Sequence, residues 1–436
     1  MLSIRTVTVV GANGTMGCNV SGIFASFGNC RVYMVSRDIE KSKKAIVKAA
    51  ASVRAGSVSA NLIPADYSML KSCVEESDLV FESAKEDLDV KLDVTKQVAA
   101  YLQPHAIACT GSSGLSITTL AECFPDNLCS HYFGVHMFNP PYNLTLCEVT
   151  PTKYSDRSLF EELKEHLKNT LFRTVVEVKD SPAFLGNRIG FQFINEALQY
   201  AERYKDNGGI DYIDAILGSY TGRSMSPLTT SDFVGLDVHK AIVDNLYENT
   251  HDYAHETFTL PAFAQHLINS GELGRKAGGG LYKMEKYDGG FKCLTVYDIA
   301  SGTYRDKMNY VFPYAEKMLH DLRIGDYKSA IEALVNNHSQ EAEICLGFLL
   351  RYIVYSLSAT EAVGYDIHSA DDVMATGFNW CPPLAMIQAL STVVNFRSLA
   401  EERLDKSILD SVDLDHLLHR AEPSKYDYRL YFKSVK

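Results

Sequence analysis

The chain has no run of about eighteen uninterrupted apolar residues, so no membrane span is expected. It has no excess of basic charge: 42 Lys and Arg stand against 54 Asp and Glu, a net charge of -12. So acidic a chain is a poor nucleic-acid binder unless a local basic patch overrides the total. The N-terminus shows no apolar signal segment with a cleavage site and runs directly into a strand at Val7. The ten cysteines lack metal-ligand spacing, and several, such as Cys109 and Cys147, lie inside apolar strands. They read as reduced, buried thiols of a cytoplasmic protein, with no metal site and no disulfide frame. A hydrophobic content of 46% and a charged content of 22% are ordinary globular values. The length of 436 residues suggests roughly three domains at ~150 residues each.

What is present centres on residues 134–148. A short apolar strand, Phe133 to Val135, delivers His136. Asn139, Pro140 and Pro141 then end the strand, since proline lacks the donor that a sheet ladder needs. A second apolar stretch, Leu144 to Val149, carries Glu148 back. A histidine at a strand end, with a carboxylate arriving on the next strand, is the layout of a general base and its orienting partner. Taken alone, the pair reads more readily as a core histidine and a surface acid; the rest of the chain decides for the catalytic reading.

Thr6 to Val10 is an apolar β run, followed by Gly11-Ala12-Asn13-Gly14-Thr15-Met16-Gly17 and a helical stretch reaching Phe27. Gly11 permits the turn, Gly14 lets a backbone approach a pyrophosphate, and Gly17 lets helix and strand touch. The spacing is GxxGxxG, one residue longer than the usual first gap, and its place between strand and helix makes the signal strong. Arg31 to Val35 is the second strand, and Ser36-Arg37-Asp38 follows where an acid normally binds the adenosine ribose. Ser36 and Arg37 suit a 2′-phosphate and lean the reading to NADP; Asp38 is either a helix cap or a displaced ribose ligand.

Ile39 to Val53 reads as a helix with a lysine edge, best taken as a solvated face. Leu79 to Phe81 and Ile107 to Cys109 read as strands around a helix, Leu88 to Tyr101, which Glu82, Glu86 and Lys91 flank. This alternation argues a parallel sheet with helices on both faces. Thr110-Gly111-Ser112-Ser113-Gly114 falls where such sheets bind ligands. After the strand Thr174 to Val178, Ser181 and Pro182 are expected to start a long apolar helix carrying Asn187 and Arg188. Beyond Asp180 the pattern is helical, with a linker or small hairpin at 283–300 and a loose tail at 421–436. Residues 346–391 faintly repeat 190–228, which suggests a duplicated helical domain.

These residues resemble the L-3-hydroxyacyl-CoA dehydrogenases, including long forms with two tandem C-terminal helical domains. The stretches that carry the likeness are VTVVGANGTMG, ESAKEDLDVK, TGSSGLSIT, GVHMFNPPYNLTLCEV, DSPAFLGNRIG, SPLTTSDFVGLD and LGRKAGGGLYK, with HxFNP the most specific. The resemblance implies an α/β Rossmann-type NAD(P)-binding domain over 1–180. Two all-α domains like those of 6-phosphogluconate dehydrogenase would follow over 181–290 and 301–425. It implies oxidation of the 3-hydroxyl of an acyl-CoA in fatty-acid β-oxidation. His136 and Glu148 match the catalytic pair, and Ser113 and Asn187 the contacts to the substrate oxygen. Gly11, Gly14, Thr15, Met16 and Gly17 fall in the dinucleotide loop; Glu86 and Lys91 lie near the nicotinamide half, and Asn139 in the HxFNP turn. NAD is the family's cofactor; Ser36 and Arg37 are the departure toward NADP. Gly111 and Gly114 depart from the family beside Ser113, and the stretch between Lys48 and Ile63 is short where relatives hold CoA. A dehydrogenase of a small 3-hydroxy acid, or a non-catalytic dinucleotide sensor, is the alternative. The tandem helical copies suggest a monomer.

Overall fold

A computed structural model describes residues 2–53, 56–286 and 292–433. The chain divides into two compact units, Met1–Phe184 and Leu185–Lys436. The first is built on an eight-stranded sheet in the order β3-β2-β1-β4-β5-β6-β7-β8. Its strands are β1 (Thr6–Val10), β2 (Arg31–Ser36), β3 (Leu62–Asp66), β4 (Leu79–Glu82), β5 (Ile107–Thr110), β6 (Tyr132–Met137), β7 (Leu146–Thr150) and β8 (Thr174–Glu177). Its helices are α1 (Thr15–Ser26), α2 (Ile39–Val53), α3 (Leu70–Glu75), α4 (Leu88–Ala99), α5 (Ile117–Ala121) and α6 (Arg157–Asn169). Valines, Phe81, Cys109, Phe133 and Cys147 fill the sheet, and Val20, Ile23 and Phe24 of α1 cover one face.

The sheet is mixed where the sequence suggests a parallel one. β7 runs antiparallel to β6, and β8 runs parallel to β7. A short proline turn joins β6 to β7, and so short a link reverses the chain, whereas a parallel pair needs a long crossover. β3 is not readable in advance, because Pro64 and Asp66 break its apolar run; as the edge strand it tolerates the proline.

The expected helix start at Ser181 does not form. Ala183 and Phe184 take left-handed backbone (φ 55 and 51), and the next helix, α7, spans Gly186–Arg203. Left-handed residues cannot enter a right-handed helix.

The second unit continues with α8 (Ile210–Ile216), α9 (Pro227–Val234), α10 (Leu236–Asn249), α11 (Ala262–Asn269), α12 (Pro313–Ile324), α13 (Tyr327–Val335), α14 (Gln340–Val363), α15 (Ser369–Val373) and α16 (Pro383–Leu390). It is not purely helical. β9 (Tyr282–Lys286), β10 (Lys292–Asp298) and β11 (Thr303–Asp306) form an antiparallel sheet where a linker or hairpin is expected; residues 287–291 of that stretch lie outside the described residues. The two expected helical domains lie in one compact unit. The expected loose tail is docked over 421–433: Phe432 is buried, and Tyr426 donates to Asp372 at 2.6 Å. Residues 434–436 lie outside the described residues. α14 is long and apolar enough to cross a membrane, yet 78% of its most apolar stretch is buried within the protein.

Candidate active site

The dinucleotide turn comes first along the chain. Gly11 has φ 83, and a Cβ there would lie 2.4 Å from the Ser83 carbonyl oxygen. A Cβ on Gly17 would lie 2.5 Å from the Gly11 carbonyl oxygen, so both glycines are sterically required. Gly14 precedes α1 in extended backbone, and no side chain caps the helix. Asn13, Gly14 and Thr15 are exposed and Met16 half-buried. An open helix N-terminus reached over glycine fits a pyrophosphate, so the turn suits a nicotinamide dinucleotide.

At the end of β2, Ser36 is buried and its hydroxyl donates to the Asp38 carbonyl at 2.7 Å. Its one proton is therefore engaged within the turn. Asp38 accepts from the Glu40 amide at 2.7 Å, as a cap for α2. Arg37 is exposed. It lies close enough to Tyr67 that its charge opposes burial, which raises the phenol's pKa.

Beside this turn, the ends of β4 and β5 hold a buried ionic cluster. Lys91 is 1% exposed and reaches both oxygens of Glu82, at 2.9 and 3.0 Å. It also lies 3.4 Å from Glu86. Thr110 donates to Glu82 at 2.6 Å. Glu86 Oε1 in turn accepts from the Ser112 hydroxyl (2.6 Å), the Ser113 amide (2.8 Å) and the Gly114 amide (3.2 Å). The Ser113 loop is thus wrapped around one carboxylate whose charge Lys91 balances. The sequence signals Glu86 and Lys91 and places Thr110 and Ser112 in a ligand-binding stretch, but it does not show that Glu82 partners Lys91; a buried lysine calls for such a carboxylate.

His136 and Glu148 face each other directly across the antiparallel β6–β7 pair. His136 Nδ1 lies 2.8 Å from Glu148 Oε2, and both side chains are buried (7% and 0% exposed). A carboxylate accepting from Nδ1 would direct the imidazole's other nitrogen, Nε2, to proton exchange. Two rings lie close to the imidazole, Phe138 (centroids 4.7 Å) and Phe184 (5.6 Å), both tilted against it. The turn after β6 is tied to α1: Asn19 donates to Asn139 at 3.1 Å, and Tyr142 donates to the Asn19 carbonyl at 2.9 Å.

Asn187 belongs to the second unit, buried in the first turn of α7. Its neighbour Arg188 pairs with Asp252 at 2.8 Å and donates to Tyr355 at 3.2 Å, a structural role within that unit.

Fold and geometry define a Rossmann-type protein with a dinucleotide turn and a buried histidine–glutamate pair. A family model described as the NAD-binding domain of 3-hydroxyacyl-CoA dehydrogenase matches residues 6–181, and one described as its C-terminal domain matches 184–284. A probable 3-hydroxyacyl-CoA dehydrogenase of Deinococcus radiodurans is 30% identical over 302 residues, 65% of this chain and 84% of that one. Another, from Bacillus subtilis, is 27% identical over 405 residues, 86% of this chain. The chain spans only 50% of that relative's length. The solved 3-hydroxybutyryl-CoA dehydrogenase of Escherichia coli shares the fold with a TM-score of 0.68 at 21% identity, over 96% of this chain and 98% of that one. The chain belongs to the 3-hydroxyacyl-CoA dehydrogenase family. Residues 6–181 match the NAD-binding domain of that family.

Proposed function

We propose that this chain interconverts a 3-hydroxyacyl-CoA and its 3-oxoacyl-CoA, with His136 as the general acid–base. The observation that carries this is the buried 2.8 Å contact between His136 Nδ1 and Glu148 on adjacent strands. A bound nicotinamide supplies or accepts the hydride at C3. In oxidation, neutral His136 takes the hydroxyl proton at Nε2, and Glu148 steadies the imidazolium that results. In reduction, the imidazolium gives that proton back. Ser113, on the loop that Glu86 organises, donates to the substrate oxygen, worth roughly 2–4 kcal/mol of barrier. Positioned proton transfer contributes typically ~10²–10⁴-fold.

The cofactor preference rests on Arg37. Its exposed guanidinium suits a 2′-phosphate, while the engaged hydroxyl of Ser36 does not add a donor. Initial rates with acetoacetyl-CoA, using NADH and NADPH in parallel, test both parts. NADPH turnover above NADH supports the Arg37 reading; turnover with NADH alone returns ribose recognition to Asp38. No turnover with either contradicts the activity. A second reading, a free 3-hydroxy acid substrate, is favoured by the short link from α2, which ends at Val53, to β3, which begins at Leu62. Rates on the free acid above those on the CoA ester would establish it.

The domain reading is a Rossmann domain over 1–180, a helical domain over 181–290 and its degenerate copy over 301–425. Two matching caps support the duplication. Asp214 accepts from the Leu228 amide at the start of α9 (2.8 Å), and Asp371 from the Leu384 amide at the start of α16 (2.9 Å). Nine residues after each aspartate come Arg223 and Trp380, which form an antiparallel bridge with each other. A bridge between equivalent positions supports copies that pack on each other, as two chains would. The protein is accordingly a monomer, and a solution mass near twice 48.5 kDa would reject that. A cytoplasmic location is in keeping with the ten free cysteines.

A further inference from the structure

The stretch between β8 and the end of the first unit is unusual. Ala183 and Phe184 are consecutive non-glycine residues in left-handed backbone, and both are buried. The described residues include only three other such residues, Asn29, Phe172 and Asn379, none adjacent to another. A β-carbon is disfavoured in that region, and such conformations persist only where the surroundings over-determine them.

The surroundings are visible at both ends of the segment. At one end Asp180 closes the start of α5. Its carboxylate accepts from the Ile117 amide (2.9 Å), the Thr118 amide (2.8 Å) and the Ser116 hydroxyl (3.1 Å). Ser116 follows the Ser112–Gly114 loop, which wraps Glu86. At the other end the Phe184 amide donates to the Ser181 carbonyl at 3.0 Å, and the Phe184 ring lies 5.6 Å from the His136 imidazole. Hydrogen bonding of His136 to Glu148 fixes one edge of the imidazole; Phe184 and Phe138 pack against the ring.

We infer that Asp180–Phe184 is a tether that sets the His136 ring and the Ser113 loop relative to each other, with Phe184 and Asp180 as positioning residues. The inference rests on His136 being the acid–base. The tether relates the group that moves the proton to the loop that meets the substrate oxygen. Misplacing one against the other lowers the chemical step and leaves dinucleotide binding intact, because the glycine turn is not part of the segment.

The test uses the full chain with four variants: Phe184→Leu, Phe184→Tyr, Asp180→Ala and the Phe184→Leu/Asp180→Ala double. Histidine is labelled with 13C at Cε1, and the His136 resonance is the one lost in His136→Gln. Phe184→Leu is expected to move that resonance and to lower kcat for acetoacetyl-CoA reduction by roughly 10- to 100-fold. Its KM for the dinucleotide stays within about twofold of wild type, because only the positioned step is affected. Phe184→Tyr, which keeps the ring, restores most of kcat. Asp180→Ala lowers kcat in the same direction, and the double variant loses less than the product of the single losses, as expected of one coupled unit. Wild-type kcat with an unmoved resonance in Phe184→Leu overturns the inference, as does a fully multiplicative double variant. If Phe184→Leu does not fold, an unmoved resonance and wild-type kcat in Asp180→Ala overturn it equally. Retained turnover in His136→Gln would instead overturn the acid–base assignment, so the two failures are distinct.

Discussion

His136 and Glu148 owe their geometry to register. Directly opposed residues on an antiparallel pair lie close enough for side chains to meet, and a shift of one residue would send the two side chains to opposite faces of the sheet. The carboxylate is wholly buried, so its attraction for an imidazolium is little screened. Glu148→Gln keeps the size and can still accept from Nδ1, but removes the charge that stabilises the cation. It is expected to lower kcat by roughly 10²-fold while binding of the dinucleotide is unchanged, in line with the ~10²–10⁴-fold scale of positioned proton transfer. Steady-state rates beside a dinucleotide titration check this; wild-type kcat would mean that Glu148 only packs. This pair was readable in the sequence, because HxFNP and the returning glutamate sit within one short hairpin. Phe184 was not readable in its role. Nothing in Ser-Pro-Ala-Phe marks two left-handed residues, since alanine and phenylalanine are poor markers of that conformation.

At the scale of elements, the ends of β4 and β5 are joined by charge. Lys91 from α4 is enclosed by Glu82 and Glu86, and Glu86 organises the loop that carries Ser113. Removing the cation leaves a buried carboxylate uncompensated. Lys91→Met should therefore destabilise by about 3–5 kcal/mol, and adding Glu82→Gln to it should recover part of that loss. Chemical denaturation of the single and double variants measures both; equal stability of Lys91→Met and wild type would refute the coupling. The strands of the large sheet, β3 excepted, and α2 were legible because their patterns are local: α2 begins and ends where its periodicity places it. The pairing of β8 with β7 and the small sheet β9–β11 were less so. Pairing partners far along the chain leave little mark on local sequence, and short strands with lysine and tyrosine alternate weakly.

At the scale of the molecule, the second unit carries buried groups that titrate in opposite senses. His239 lies fully inside, between Ser231 and Asn195 (2.9 Å each), and burial lowers its pKa to about 3. The stability it contributes is present above the unfolded value, ~6.5, and is lost as pH falls toward 3. Asp232 and Asp371 are shifted the other way, up to about 6, chiefly by burial. Their contribution is present below the unfolded value, ~3.9, and is lost as pH rises through 6. Between pH 4 and 6 the single histidine offsets only part of the effect of the two aspartates. Asp371→Asn removes one of the rising terms, so its stability relative to wild type should be greatest at pH 7 and fall on acidification to pH 4. With a shift of about two units, that fall is roughly 2–3 kcal/mol. Urea unfolding at pH 7, 5.5 and 4 reads it out, and a difference independent of pH would contradict the shift.

The most direct test of the central claim compares wild type and His136→Gln in acetoacetyl-CoA reduction, with dinucleotide binding measured on the same preparations. The expected result is turnover by wild type, a loss of roughly 10²-fold or more in the variant, and equal dinucleotide affinity in both. Wild-type turnover in a folded His136→Gln protein would show that the proton is handled elsewhere.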